Sequence, residues 1–202
     1  KPDTKIVCMV KAAAYGAGSS EIAKTLEEHR VDYLAVAVAD EGAELRKAGI
    51  NCPIMIMNPE LTAFKTMFDY RLEPEVYSFG ILEELIKAAE REGVSNLPIH
   101  IKINTGMNRL GFEPEQIGQL TDRLHRQSAV IPRSVFSHLV GSDEARFDSF
   151  TRRQIEVFEK ASAELQSGFA HKIIRHICNT AGIERYPGAQ FEMVRLGIGL
   201  YG

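Results

Sequence analysis

The chain has 202 residues, 45% of them hydrophobic and 25% charged, which suits one domain with a sizeable core. A formal charge of -3 at pH 7 supplies no global basic field for nucleic acid, and no apolar run approaches the ~18 residues that span a bilayer. Cys8, Cys52 and Cys178 are odd in number, far apart and set in or beside apolar segments, so they read as buried reduced thiols rather than a disulfide frame or a metal site.

Short apolar runs rich in Val and Ile alternate with longer amphipathic stretches. Residues 5–10 predict a strand and 20–29 a helix with Ile22, Ala23 and Leu26 on one side. Strands follow at 33–38 and 53–57, with helices at 40–47 and 61–68. Residues 72–76 read as a weaker strand, interrupted by Pro74. A strong helix follows at 79–91, then a strand at 99–103 and a helix at 114–126 opened by Pro114. Residues 135–139 are the sixth strand and 147–166 a long helix. A strand at 173–178, a short turn or helix, and a last strand at 192–195 complete the series. Eight βα units over ~200 residues predict a parallel sheet covered by helices, closed as a (β/α)8 TIM barrel spanning residues 1–202. An open doubly wound sheet is the alternative, but it would normally stop at five or six strands. The apolar run begun by Ile198, Leu200 and Tyr201 does not finish, so the sequence reads as part of a longer polypeptide.

A barrel places its active site at the carboxyl ends of the strands. The polar residues found there are Lys11, Lys102, His138, Asn179 with Thr180, and Arg195. A strand-end lysine loses charge on desolvation, and a neutral amine condenses with an aldehyde; a snorkelling lysine or a buried ion pair explains its position equally well. Tyr15, Gly16 and Gly18 follow it in what is otherwise an ordinary glycine-containing loop. Gly197 and Ile198 follow the eighth strand, where barrels often hold phosphate on free N–H groups, with the Thr180 hydroxyl nearby. Lys102 and Arg109 flank a loop, and two cations together need an anion: a substrate carboxylate, a nearby acid or a modified lysine. A lone histidine such as His138 is more often a satisfied structural residue than a catalyst. The other histidines, at 29, 100, 125, 171 and 176, lack metal-ligand spacing. Asp40-Glu41 and Asp143-Glu144 read as charges complementing helix starts.

Taken together these segments resemble the alanine racemases. The resemblance is carried by Val10-Lys11-Ala-Ala-Ala-Tyr15-Gly16-Ala-Gly18, by Lys102-Ile-Asn-Thr105-Gly106-Met107-Asn-Arg109-Leu-Gly111, by Ser137-His138-Leu and Asn179-Thr180-Ala, and by Met193-Val194-Arg195-Leu-Gly197-Ile198-Gly199-Leu-Tyr201-Gly202. It runs in order along the whole chain. It implies that Lys11 carries pyridoxal 5'-phosphate as a Schiff base and acts as one acid/base. It implies further that Tyr15, Asn179, Thr180, Gly197 and Ile198 hold the phosphate end, and that Arg195 faces the pyridine nitrogen with His138 near the ring. Arg109 and Met107 would meet the substrate, and Lys102 would be the lysine that is often carbamylated.

Ala13 and Ala17 depart from the usual asparagine and histidine, Leu196 from proline, Thr180 from serine, and Asn104 and Asn108 from aspartate and glycine. The resemblance also implies a homodimer whose second base, a tyrosine, comes from a C-terminal β-domain that this sequence lacks. It implies a small amino acid, alanine, as substrate, D-alanine for peptidoglycan as product, and a bacterial cytoplasmic setting without nucleic-acid or membrane partners. Rival readings are a racemase of another amino acid such as serine and a non-catalytic pyridoxal-phosphate homeostasis protein.

Overall fold

The computed structural model describes residues 2–202; Lys1 lies outside them. Its eight strands are β1 (Lys5–Met9), β2 (Tyr33–Val36), β3 (Ile54–Ile56), β4 (Glu73–Val76), β5 (Leu97–Lys102), β6 (Val130–Phe136), β7 (Ile174–His176) and β8 (Met193–Leu196). All pairings are parallel, and the order β7-β6-β5-β4-β3-β2-β1-β8 brings the last strand back beside the first. That return excludes the open doubly wound sheet. The seam between β7 and β8 is bridged by the Arg195 N–H, which donates to the Cys178 carbonyl at 3.0 Å. Beside it, the Arg175 guanidinium donates two bonds to the Glu192 carboxylate, at 3.0 and 2.9 Å. The result is a nearly closed (β/α)8 barrel, as the alternation predicts.

The outer layer consists of α2 (Ser19–Glu28), α3 (Ala39–Lys47), α4 (Phe64–Asp69), α5 (Phe79–Arg91), α6 (Ile117–His125), α7 (Asp148–Ser167) and α8 (Thr180–Arg185), preceded by a short turn α1 (Lys11–Tyr15). Helix α5 shows why they form. Ser78 caps it by accepting the Ile81 N–H, Ile81, Leu82, Leu85, Ile86 and Ala89 recur at helical spacing and are buried, and Arg91 closes the last turn. Each large side chain so buried contributes roughly 1.5–3 kcal/mol.

Strand parity sorts the interior. Cys8, Leu34, Val36, Ile54, Ile56, Ile99, Ile101 and Val135 face the helices. Val7, Tyr33, Ala35, Met55 and Met193 form a second cluster inside the barrel. The same alternation gives the later strands a polar interior made of Glu75, His100, Lys102, Ser134, His176 and Arg195, with the partly buried Glu73 bonded to His100.

Some boundaries differ from the sequence expectations. Pro74 does not break β4, which keeps register with β3 through Ile56 and with β5 through His100. The last strand starts at Met193 rather than residue 192, although the Glu192 carbonyl still accepts the Lys5 N–H at 2.9 Å. Residues Pro114–Gln116 form a 3-10 turn before α6 rather than its first turn. None of the three cysteines is joined in a disulfide, and all three are buried. Among the described residues no helix is long and apolar enough to cross a membrane, and no group of three or more His, Cys, Asp or Glu is placed to hold a metal.

Candidate active site

A cavity of about 680 Å³ opens at the carboxyl ends of the strands. Its lining includes Lys11, Tyr15, Thr180, Gly197 and Ile198 on one side and Lys102, Arg109, His138 and Arg195 on the other, so these sequence-nominated residues do converge. Asn179 is also in the wall, but its side chain is engaged elsewhere. Its Oδ1 accepts the Gly182 N–H and the Ser142 hydroxyl, and its Nδ2 donates to the Leu139 carbonyl, which makes it the N-cap of α8. Met107 is not part of the wall. The Asn104 Oδ1 accepts the N–H groups of Gly106 and Asn108, which folds the loop back on itself and leaves Arg109 as its contribution to the cavity.

Lys11 sits where β1 ends. The chain then enters a left-handed turn: Ala12, Ala13, Ala14 and Tyr15 have φ of 51°, 52°, 52° and 56°. Each L-residue there costs roughly 1–2 kcal/mol, so the surroundings must impose the conformation. They do so through Glu41. Its Oε1 accepts the Ala12 N–H at 2.7 Å, while its Oε2 accepts the Ala37 N–H at 2.7 Å and the Val38 N–H at 3.4 Å. Glu41 is therefore more than the helix-start charge expected from sequence. The exposed Ala13 and Ala17 support the turn with main chain: the Ala13 carbonyl accepts from both Gly16 and Gly18.

The turn aims Tyr15 at the loop after β8, where its ring lies 4.8 Å from that of Tyr201. A Cβ on Gly197 would stand 3.6 Å from the Tyr15 hydroxyl and 3.8 Å from the Thr180 hydroxyl, so the three groups share one small space. The Thr180 Oγ1 accepts the N–H groups of Gly197 at 3.1 Å and Gly199 at 3.3 Å, which leaves its own proton to donate. Gly199 is sterically required, since a Cβ there would lie 2.4 Å from the Thr180 methyl. Ile198 opens a short 3-10 turn with its side chain exposed; only its main chain belongs to the cradle.

Arg195 anchors the opposite wall and is 4% exposed. Its Nη2 donates to the Ser137 carbonyl at 2.6 Å and approaches the His138 Nδ1 at 3.4 Å. Its Nη1 donates to the His176 Nδ1 at 3.0 Å. That bond fixes a chain of tautomers. The His176 proton must sit on Nε2 and donate to the Ser134 Oγ at 3.0 Å. Ser134 then donates to the His100 Nδ1 at 2.6 Å, and the His100 Nε2 proton goes to Glu73 at 2.9 Å. Burial lowers the Arg195 pKa to about 10, so it remains charged near neutrality. Burial, followed by Arg195, Lys102, Arg109 and Lys11, lowers the His138 pKa to about 3, and this histidine is neutral.

Sequence reasoning missed Glu41, Glu73 and Glu75. Pro74 concealed the two β4 carboxylates by making that strand look broken. Period-two parity would have exposed them, since residues 73 and 75 share the inward face of a parallel strand.

The family described as alanine racemase, N-terminal domain, matches residues 1–202. The chain belongs to this family. Alanine racemase 1 of Clostridium acetobutylicum is 39% identical over 201 residues, covering 98% of this chain and 51% of that protein. Alanine racemase of Methanococcus maripaludis is 36% identical, covering 100% of this chain and 54% of that protein. Among solved structures, alanine racemase of Clostridium difficile 630 superposes with a TM-score of 0.93 at 35% identity, over 100% of this chain and 53% of that one. The Bacillus anthracis alanine racemase with bound L-Ala-P gives a TM-score of 0.90 at 28% identity, over 100% of this chain and 52% of that one. The chain thus spans about half the length of the alanine racemases it matches.

Proposed function

We propose that this barrel binds pyridoxal 5'-phosphate on Lys11 and carries one face of the racemisation of alanine. One observation carries the reading: a single cavity holds a strand-end lysine, a buried arginine that can only donate, and a hydroxyl-and-N–H cradle made by Tyr15, Thr180 and Gly197. The charges agree with it. Lys11, Lys102, Arg109 and Arg195 stand against only Glu75 and Asp143 in the lining, a cationic excess suited to a phosphate and a carboxylate.

Bound pyridoxal phosphate supplies an electron sink that acidifies the Cα–H of an attached amino acid. The protein supplies the rest. Lys11 is the attachment point and the base that removes or returns the Cα proton on its own face. Tyr15, Thr180 and the N–H groups of Gly197 and Ile198 hold the phosphate, and Asn179 positions Thr180 by capping α8. Arg195 keeps its charge and places donors, but no acceptor, at the ring-nitrogen end, which disfavours a second cation there. Neutral His138 packs beside that arginine without adding charge. Arg109 receives the substrate carboxylate.

Inversion also needs a base on the opposite face. Of the tyrosines, Tyr15 is in the phosphate cradle and the Tyr201 hydroxyl donates to the Met9 carbonyl at 2.8 Å. The resemblance to the alanine racemases assigns the second base to a tyrosine outside this barrel, brought by a second copy in a homodimer. D-alanine for peptidoglycan in a bacterial cytoplasm is the corresponding biological role.

The test is optical and chemical. Protein equilibrated with pyridoxal phosphate should show a band near ~420 nm that borohydride abolishes, leaving the label on Lys11, and Lys11→Arg should show neither. Saturated protein without the band, or label on another lysine, would sink the assignment.

A further inference from the structure

Lys102 and Arg109 line the cavity in company with Arg195, and such a cluster needs an anion. Three sources stood open from sequence: a substrate carboxylate, a nearby acid or a modified lysine. The fold provides one before any ligand arrives. Glu75 is 0% exposed, projects into the same cavity, and accepts from the Lys102 Nζ through Oε1 at 3.0 Å. Its second oxygen, Oε2, is buried and has no hydrogen-bond partner.

We propose that Glu75 is the resident anion of the site: it keeps Lys102 as an unmodified ammonium and presents Oε2 as the counter-charge that positions Arg109 for an incoming carboxylate. A buried carboxylate oxygen without a donor is costly and calls for a cation within reach. The cations that act on Glu75 are Lys102, Arg195 and Arg109. The Lys102 and Arg195 groups are already held, by Oε1 and by the His176–Ser137 network respectively, whereas Arg109 is exposed and lines the same cavity. Burial raises the Glu75 pKa to about 6, while Lys102, Arg195 and Arg109 pull it down.

A carbamate on Lys102 is incompatible with this arrangement. It would remove the ammonium that Oε1 requires and set a second anion at hydrogen-bond distance from the first. The Phe136 ring, 5.5 Å from the Lys102 Nζ, likewise favours a cation there. Glu75 touches Lys102 and not the reacting atoms, so it is a positioning residue. The statement about the incoming carboxylate rests on the proposed function; the state of Lys102 does not.

Carbon-13 NMR of the unsubstituted protein equilibrated with ¹³C-bicarbonate decides the first part. No carbamate carbon is expected. A carbamate resonance that vanishes in Lys102→Met would overturn the proposal. The second part uses Glu75→Gln, which keeps the shape and removes the charge. Chloride should then take over as counter-ion: a tenfold rise in chloride at constant ionic strength should raise Tm by about 2–4 °C in the variant and leave the parent unchanged. An equal response in both proteins, or none in the variant, would overturn the resident-anion role. If the variant does not fold, the NMR result on the parent still decides whether Lys102 is modified. Neither readout uses pyridoxal phosphate or turnover, so failure of the racemase reading would appear separately, as a missing Lys11 band.

Discussion

Around the loops after β1 and β8 the cavity is built largely from main chain, whereas around β4 to β7, with Arg195 reaching in from β8, it is built from charged and polar side chains. The first side uses a left-handed turn, the close-packed Gly199 and the hydroxyls of Tyr15 and Thr180. The second uses Glu75, Lys102, Arg195 and the bonded series through His176, Ser134 and His100 to Glu73. Main-chain donors have fixed spacing and no pKa in the working range, which suits a phosphate that never reacts. Side-chain charges can be tuned by burial, which suits the end of the cavity where protonation states matter. The two sides should therefore fail differently: one through backbone geometry, the other through pH.

The largest effect should come from removing what holds the main-chain side in its strained form. Glu41→Ala deletes an acceptor of three N–H groups, on Ala12, Ala37 and Val38, and should cost about 2–3 kcal/mol in urea unfolding. Four consecutive residues with positive φ then lose the carboxylate that offsets their strain. Pyridoxal-phosphate affinity should fall by at least ~10-fold, more than a uniform loss of stability explains. Lower stability with unchanged affinity would mean that the left-handed turn holds itself, and the contrast between the sides would weaken.

Next is the pH response of the side-chain side. The His138 pKa is lowered to about 3 and the His176 pKa lies well below its ordinary value, both by burial first and Arg195 next. The unfolded chain therefore takes up protons that the folded chain refuses, so stability is present above ~6.5 and lost as pH falls. His138 should remove about 2 kcal/mol between pH 7 and 5, and His176 acts in the same direction. Glu75 opposes this, because its raised carboxyl pKa lets the folded state take up a proton first, returning about 1 kcal/mol over the same interval. Urea midpoints at the two pH values check the net fall, and His138→Asn should reduce it by about 2 kcal/mol. An unchanged slope in that variant would show that His138 is protonated in the fold.

The same division explains what could be read from the sequence. Eight strands, their parallel order and the convergence of Lys11, Tyr15, Lys102, Arg109, His138, Thr180, Arg195 and Gly197 follow from apolar periodicity and from polar residues placed just after each run. The left-handed turn did not, because alanine carries no local signal for positive φ; the cause lies 29 residues away, in Glu41. Glu75 was hidden behind Pro74, and its partner Lys102 was left needing an anion, although the neighbouring strand β4 places a carboxylate 3.0 Å from it. Met107 was nominated from its motif, but the Asn104-centred turn determines which loop residue reaches the cavity.

The smallest effect tests the main-chain side at a single atom. Thr180 accepts two N–H bonds through Oγ1, so its hydroxyl proton is free for an anion. Thr180→Val preserves the shape, including the methyl that packs under Gly199, but removes acceptor and donor together. Stability should fall by about 1 kcal/mol and phosphate-end affinity by about 10-fold, read as the dissociation constant for pyridoxal phosphate. Thr180→Ser keeps the hydroxyl and should retain the affinity, losing only the methyl contact. If valine keeps the affinity and serine loses it, the methyl rather than the hydroxyl is what matters there, and the cradle acts by packing instead of donation.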